Sequence, residues 1–299
     1  MADFVARTNR FYPPDAITRS LAEQRAVYDR MAAAFRAPRP EGVAVRDSVV
    51  PAIPPVPVRI YEGTGGGTTL VYFHGGGFVV GGLDSHDDVC AEICARAGVR
   101  VVAVDYRLCP EHLHPAAFDD ALAATRWVLA EYAEPVVLAG DSAGGTLTAA
   151  ISHALRGADR QPAGQVLIYP ALGGDRSLPS YTVHAHAPML TTAEVDYYTD
   201  IRTGGVPVAG DPTLEPLHDA DFAGLPPTVA VPAEFDPLCS DAAAYCDAVR
   251  KAGGRAVCLV QNGWLHGGLR ARHSADVAAR AFDRIVQAVG VLGRGDWIW

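Results

Sequence analysis

The sequence predicts an α/β architecture, a mostly parallel sheet of eight strands with helices on both faces. Three observations carry this. Short apolar runs alternate with helical segments along most of the chain. Most of those runs are continuously apolar, as strands covered on both faces are. With 299 residues, 49% of them hydrophobic and 20% charged, the chain can bury a large core and has the composition of an ordinary folded protein.

Residues 15–36 read as a helix, with Ile17, Leu21, Val27, Met31 and Phe35 at helical spacings. The stretch Ala37–Gly42 (APRPEG) breaks it. Val43 and Val45, then Val58 and Ile60, alternate as in half-buried strands and predict an antiparallel edge. Gly63–Gly67 (GTGGG) reads as a turn, since no GK[ST] follows and no helix opens there, as a phosphate loop would need. The next strands are expected at Leu70–Phe73, Arg100–Val104, Pro135–Ala139, Gln165–Tyr169, Thr228–Val231 and Ala256–Val260. Helices are expected near 86–97, 116–130, 144–156 and 241–252. A last helix near 274–292 puts Ala278, Phe282, Ile285, Val289 and Leu292 on one face.

One interval breaks the rhythm. Between Tyr169 and Thr228 there is no clear strand, only Gly- and Pro-rich loops and the helical patch Thr192–Ile201. A structureless loop of that length does not suit a compact domain, so an excursion over the sheet, acting with the N-terminal helix as a lid, is expected. No internal repeat or low-complexity tract interrupts residues 1–299, which read as a single domain.

Charge and cysteine usage exclude several classes. Lys and Arg number 25 against 34 Asp and Glu, a net −9 with His neutral, and Lys251 is the single lysine. Nucleic-acid binding needs concentrated positive charge and is not expected. The first residues carry acids and prolines without an apolar run, and no stretch approaches 18 apolar residues. A cytoplasmic protein with no membrane span is the expectation. Six cysteines, at 90, 94, 109, 239, 246 and 258, form no CxxC pair and no zinc-spaced cluster. They read as small buried side chains in a reducing compartment.

The chemistry concentrates in three places. Gly140-Asp141-Ser142-Ala143-Gly144-Gly145 follows an apolar strand and opens a helix, the context of a nucleophile elbow. Small flanking residues permit the sharp turn that exposes the Ser142 hydroxyl. A serine needs a base, and the base an orienting carboxylate. Asp236 and His266 follow the last two strands of the sheet in the order such a sheet requires, acid before histidine. Glu234, Asp241 and His273 compete for these roles; Asp241 and His273 fall where helices begin, and Asp236 lies further into its loop than Glu234. His74-Gly75-Gly76-Gly77-Phe78 follows Leu70–Phe73 directly. Its bare glycine amides, with the N–H of Ala143, suit the oxyanion of an acyl transfer. His74 and Asp141 read as structural hydrogen-bonding residues.

Together these residues resemble the hormone-sensitive-lipase-like family of α/β-hydrolase carboxylesterases. Beyond HGGGF and GDSAGG, Asp105-Tyr106-Arg107-Leu108 with Pro110-Glu111-His112 is similar to the family's YRLAPEH segment, with Cys109 in the alanine position. Asp236-Pro237-Leu238 and His266-Gly267 are similar to its acid and histidine motifs. The resemblance covers residues 40 to 290. It implies an α/β-hydrolase fold, catalysis by Ser142, Asp236 and His266, and oxyanion donors at Gly76, Gly77 and Ala143, grouped with Gly75, which shapes the turn. It implies a helical cap from residues 1–40 and 175–215. It implies hydrolysis of short-chain carboxylic esters, acetyl to hexanoyl, with a small-molecule ester as partner, no metal or organic cofactor, and a homodimer. An amidase or N-deacylase would use the same triad, and a non-catalytic small-molecule receptor would use the same pocket. One departure stands out. The family carries a bulky apolar residue after His-Gly, where this chain has Gly268. Trp264, Leu265 and Leu269 are the candidates to fill that space.

Overall fold

The computed structural model describes residues 1–12 and 16–299. Its main sheet has eight strands: β1 (Ala44–Val50), β2 (Val56–Glu62), β3 (Thr69–Phe73), β4 (Arg100–Val104), β5 (Val136–Asp141), β6 (Gly164–Ile168), β7 (Thr228–Val231) and, after the short β8 (Ala233–Phe235), β9 (Ala256–Cys258). The order is β1-β2-β4-β3-β5-β6-β7-β9. β1 and β2 pair antiparallel, as do β2 and β4, and the remaining pairs are parallel. The expected antiparallel edge is therefore present.

The helices are α1 (Ala2–Thr8), α2 (Leu21–Phe35), α3 (Asp87–Ala97), α4 (Ala116–Glu131), α5 (Ala143–Ala154), α6 (Pro179–Val183), α7 (Thr192–Thr203), α8 (Cys239–Lys251) and α9 (Asp276–Gly293). Alternate strand residues feed two layers. Leu70, Tyr72, Val137, Ala139, Val166 and Ile168 pack with α3 and α9. Val71, Phe73, Val102, Val104, Val136 and Leu138 pack with α4 and α5. Both faces of the parallel strands are thus dry, which explains their unbroken apolar runs.

Two expectations are corrected in detail, and one small sheet is added. The helix expected over 15–36 begins at Leu21; Asp15 lies outside the described residues. Ser20 ends its upstream side with a capping box, its hydroxyl accepting from Glu23 N while the Glu23 carboxylate accepts from Ser20 N. The 169–228 excursion holds two helices, α6 and α7, and α7 opens on a second capping box, Thr191 with Glu194. A separate two-stranded parallel sheet pairs β8 with β10 (Gln261–Leu265). Leu265 stands opposite Phe235, and the ladder is irregular between Gln261 and Leu265. Gly263, at φ +79°, lies in that irregular stretch, and the Glu234 carboxylate accepts its N–H at 2.6 Å.

All six cysteines are free thiols, four of them buried. Trp297 and Trp299 meet edge to face, 5.2 Å apart, and pack against the core of this same chain. No helix among the described residues is long and apolar enough to cross a membrane.

Candidate active site

Ser142 sits between β5 and α5 with φ 56° and ψ −118°, in the positive-φ region that a side chain avoids unless the surroundings hold it there. Backbone crowds in from two sides. A Cβ on Gly140 would stand 2.2 Å from the Gly144 carbonyl oxygen, and one on Gly144 only 1.9 Å from that of Phe73. The glycine spacing around the serine is therefore a steric requirement of the turn.

The three residues singled out in the sequence meet here. His266 Nε2 lies 2.8 Å from Ser142 Oγ, and His266 Nδ1 lies 2.7 Å from Asp236 Oδ2. Asp236 is wholly buried, and its other oxygen accepts the Leu238 N–H at 2.9 Å. Asp236 follows β8 and His266 follows β10, so the facing pair Phe235 and Leu265 delivers both to one level. The Asp236 contact sets the histidine tautomer: Nδ1 carries the proton and Nε2 is free to accept from the serine. Tyr169 packs its ring 4.8 Å from that of His266.

The glycine loop after β3 lies beside them. Gly76 (φ +128°) and Gly77 (φ +59°) adopt conformations suited to glycine. The amides of Gly76, Gly77 and Ala143 meet no acceptor among the described residues. Gly75 differs from its grouping with the oxyanion donors, because its N–H is committed to Asp141 Oδ1 at 3.0 Å. Its role is steric, since a Cβ there would lie 2.4 Å from Asp141 Oδ2.

Asp141 holds this corner together. It accepts from Tyr72 at 2.8 Å and Tyr169 at 3.3 Å, and it faces His86 Nε2 at 3.3 Å. Burial alone would raise its pKa, but the charge of His86 and the bonds from His86 and Tyr72 outweigh that and hold it well below the usual carboxylate range. His74 stacks on Tyr106 with ring centres 4.3 Å apart, and its Nδ1–H donates to Gly75 O at 2.8 Å. Burial and the charge of His86 bring its pKa down to about 4, so it is neutral, a brace for the loop.

The competitors have other work. Glu234 holds Gly263. His273 is exposed and bonds Glu92 at 2.8 Å, and the last helix starts three residues beyond it, at Asp276. Asp241, in the first turn of α8, is wholly buried and accepts from Leu172 N at 2.9 Å, Gly174 N at 3.2 Å and the Tyr181 hydroxyl at 2.9 Å. Trp264 occupies the space beside Gly268, where a Cβ would fall 2.4 Å from its Nε1. The sequence signalled nothing of His86, because its partner Asp141 is distant in the chain.

A cavity of about 340 Å³ opens over Ser142 and His266. Its lining includes Thr8 of α1, Val27 and Met31 of α2, Tyr181 of α6, and Val195 and Tyr198 of α7. The Tyr198 ring lies directly against Gly77, where a Cβ would approach it to 2.4 Å.

A family model described as alpha/beta hydrolase fold matches residues 70–270. The carboxylesterase NlhH of Mycobacterium tuberculosis is 40% identical over 211 residues, 66% of each chain, so the match spans a little under two thirds of that relative. The ethyl acetate hydrolase of Pseudomonas putida is 32% identical over 249 residues, 78% of each. Among solved structures, an esterase from the bacterial hormone-sensitive lipase family superposes with a TM-score of 0.87 at 28% identity, over 97% of this chain and 96% of that one. With its strand order, its elbow serine and these likenesses taken together, the chain belongs to the hormone-sensitive-lipase-like family of the α/β-hydrolase fold.

Proposed function

We propose that the protein is a serine carboxylesterase that hydrolyses short-chain carboxylic esters through an acyl-enzyme. The observation that carries this is the unbroken line from Asp236 through His266 to the Ser142 hydroxyl, with contacts of 2.7 and 2.8 Å. His266 Nε2 takes the Ser142 proton as Oγ attacks the ester carbonyl. Asp236 stabilises the imidazolium that forms. The carbonyl oxygen, now negative, receives the N–H groups of Gly76, Gly77 and Ala143, whose lack of protein acceptors supports this use. The C–O bond to the alcohol breaks, and the alcohol leaves with the His266 proton. Water, deprotonated by His266, then attacks the acyl carbon and returns Ser142. Residues 1–40 and 175–215 act as a cap that bounds the acyl and alcohol groups, and a cavity of about 340 Å³ suits small esters.

Ser142→Ala is expected to lower kcat for an aryl acetate by a factor on the order of 10⁴ to 10⁶ while leaving the thermal unfolding midpoint in place. A phosphonate ester should label wild type at Ser142 and leave the variant unlabelled, read by mass spectrometry. Turnover retained in Ser142→Ala would overturn the reading. A chain-length series should peak at or below hexanoyl, and best activity on long-chain emulsions would overturn the size assignment.

A further inference from the structure

The cavity over Ser142 has charged walls, and its charges do not cancel pairwise. Each carboxylate there has partners of its own. Asp141 faces His86, and Glu215 lies 3.0 Å from His218. Glu194 accepts from Thr191 N and Oγ1, both at 2.8 Å, and Asp241 takes three donors. Of the arginines lining the cavity, Arg176 pairs with Asp196 at 3.0 Å. Arg202 and Arg270 have no carboxylate within salt-bridge reach among the described residues.

These two differ. Arg202 is spent on the fold: it donates to Leu214 O at 2.9 Å and stacks 3.7 Å over the Phe78 ring, with its Nε shut inside protein. Arg270 keeps capacity. It donates to Ser85 O at 3.0 Å and to the Tyr28 hydroxyl at 2.8 Å, both neutral. A guanidinium has five N–H groups in a fork that matches a carboxylate. Arg270 is half-buried, and the Asp141 charge acts on it from beyond hydrogen-bond reach, so N–H groups of its fork stay open to a second anion. The Thr8 hydroxyl lines the same cavity, 2% exposed and without a hydrogen-bond partner among the described residues. Tyr12, whose N–H reaches Thr8 O at 3.3 Å, lies within the electrostatic reach of both Tyr28 and Arg270. That end of the cavity is polar and holds the Arg270 cation, with the Asp141 and Glu194 charges also acting there, whereas Leu190, Val195 and Leu214 contribute apolar wall.

Resting on the esterase reading above, we propose that the ester cleaved here carries a carboxylate, received by the Arg270 guanidinium inside the catalytic cavity. Arg270 follows His266 by four residues, on the turn that carries the base, so the anion would anchor the substrate beside the chemistry.

Matched esters test this. Monoethyl adipate against ethyl hexanoate puts the charge on the acyl side, and 4-acetoxybenzoate against its methyl ester puts it on the alcohol side. In wild type, one pair should favour the charged member by at least tenfold in kcat/KM, and the pair that does so locates the carboxylate. Arg270→Gln should lower that ratio at least tenfold, chiefly through KM, and Arg270→Lys should keep part of it. Neutral members preferred in both pairs, or a ratio untouched by Arg270→Gln, would overturn the proposal. Should that variant not fold, wild type decides alone: adipate should compete with ethyl hexanoate and adipamide should not, and equal or absent inhibition overturns the idea. If wild type cleaves none of the four esters, the esterase reading falls. Calorimetric titration of adipate against adipamide then tests the carboxylate site independently.

Discussion

Single residues here are decided by what surrounds them. Asp236 and Asp241 lie five positions apart and both are wholly buried, yet they are put to different uses. Asp236 meets an imidazole. Asp241 meets two amides and a phenol, and burial pushes its pKa up to about 6 despite those bonds. Its unfolded value is near 3.8, so between about pH 4 and 6 the native chain holds a proton that the unfolded chain has released. The stability it contributes therefore falls as pH rises across that window, by about 3 kcal/mol for a shift of about two units. Asp241→Asn should flatten that part of the stability profile, measured by urea unfolding at pH 4 to 7. An unchanged slope would show that another group sets it.

Elements show how much the sequence discloses. The parallel strands were legible because each is a short apolar run between helices. The serine and the glycine loop were legible because their geometry is local: the turn allows only small residues at fixed spacing. The β8/β10 sheet was not, since Ala233–Phe235 holds three residues and Gln261–Leu265 mixes polar, glycine and apolar ones, so neither has a period to detect. Helices α1 and α6 have seven and five residues, too few turns for a pattern. Gly268 was visible as a departure with three candidates for its space, and only the structure picks Trp264 among them. That pair gives an element-scale test. Gly268→Leu should destabilise by about 1–3 kcal/mol through overpacking. In Trp264→Ala the same substitution should cost less, because the space has been vacated. Urea midpoints for the four members of the cycle measure the coupling, and strict additivity would contradict the packing account.

On the scale of the molecule, the two ends of the chain and the mid-chain excursion gather around the sheet. Phe4 packs its ring 5.2 Å from that of Phe35, Trp297 and Trp299 join the same core, and Tyr181 of α6 with Val195 and Tyr198 of α7 line the cavity. The cavity lining is therefore drawn from segments distant in sequence. Phosphonylation of Ser142 fills the cavity beneath them and should slow proteolysis within residues 1–40 and 175–215 by severalfold relative to the free protein, with the cut sites read by mass spectrometry. Cleavage there at the same rate in both would mean that these segments do not sense the occupant.

The miniature ladder of β8 and β10 joins Asp236 and His266 into one piece. Phe235 and Leu265 share a rung, so a tilt of either strand carries both Asp236 and His266 with it. The Asp236–His266 contact is therefore internal to the small ladder, whereas the His266–Ser142 contact spans the two sheets.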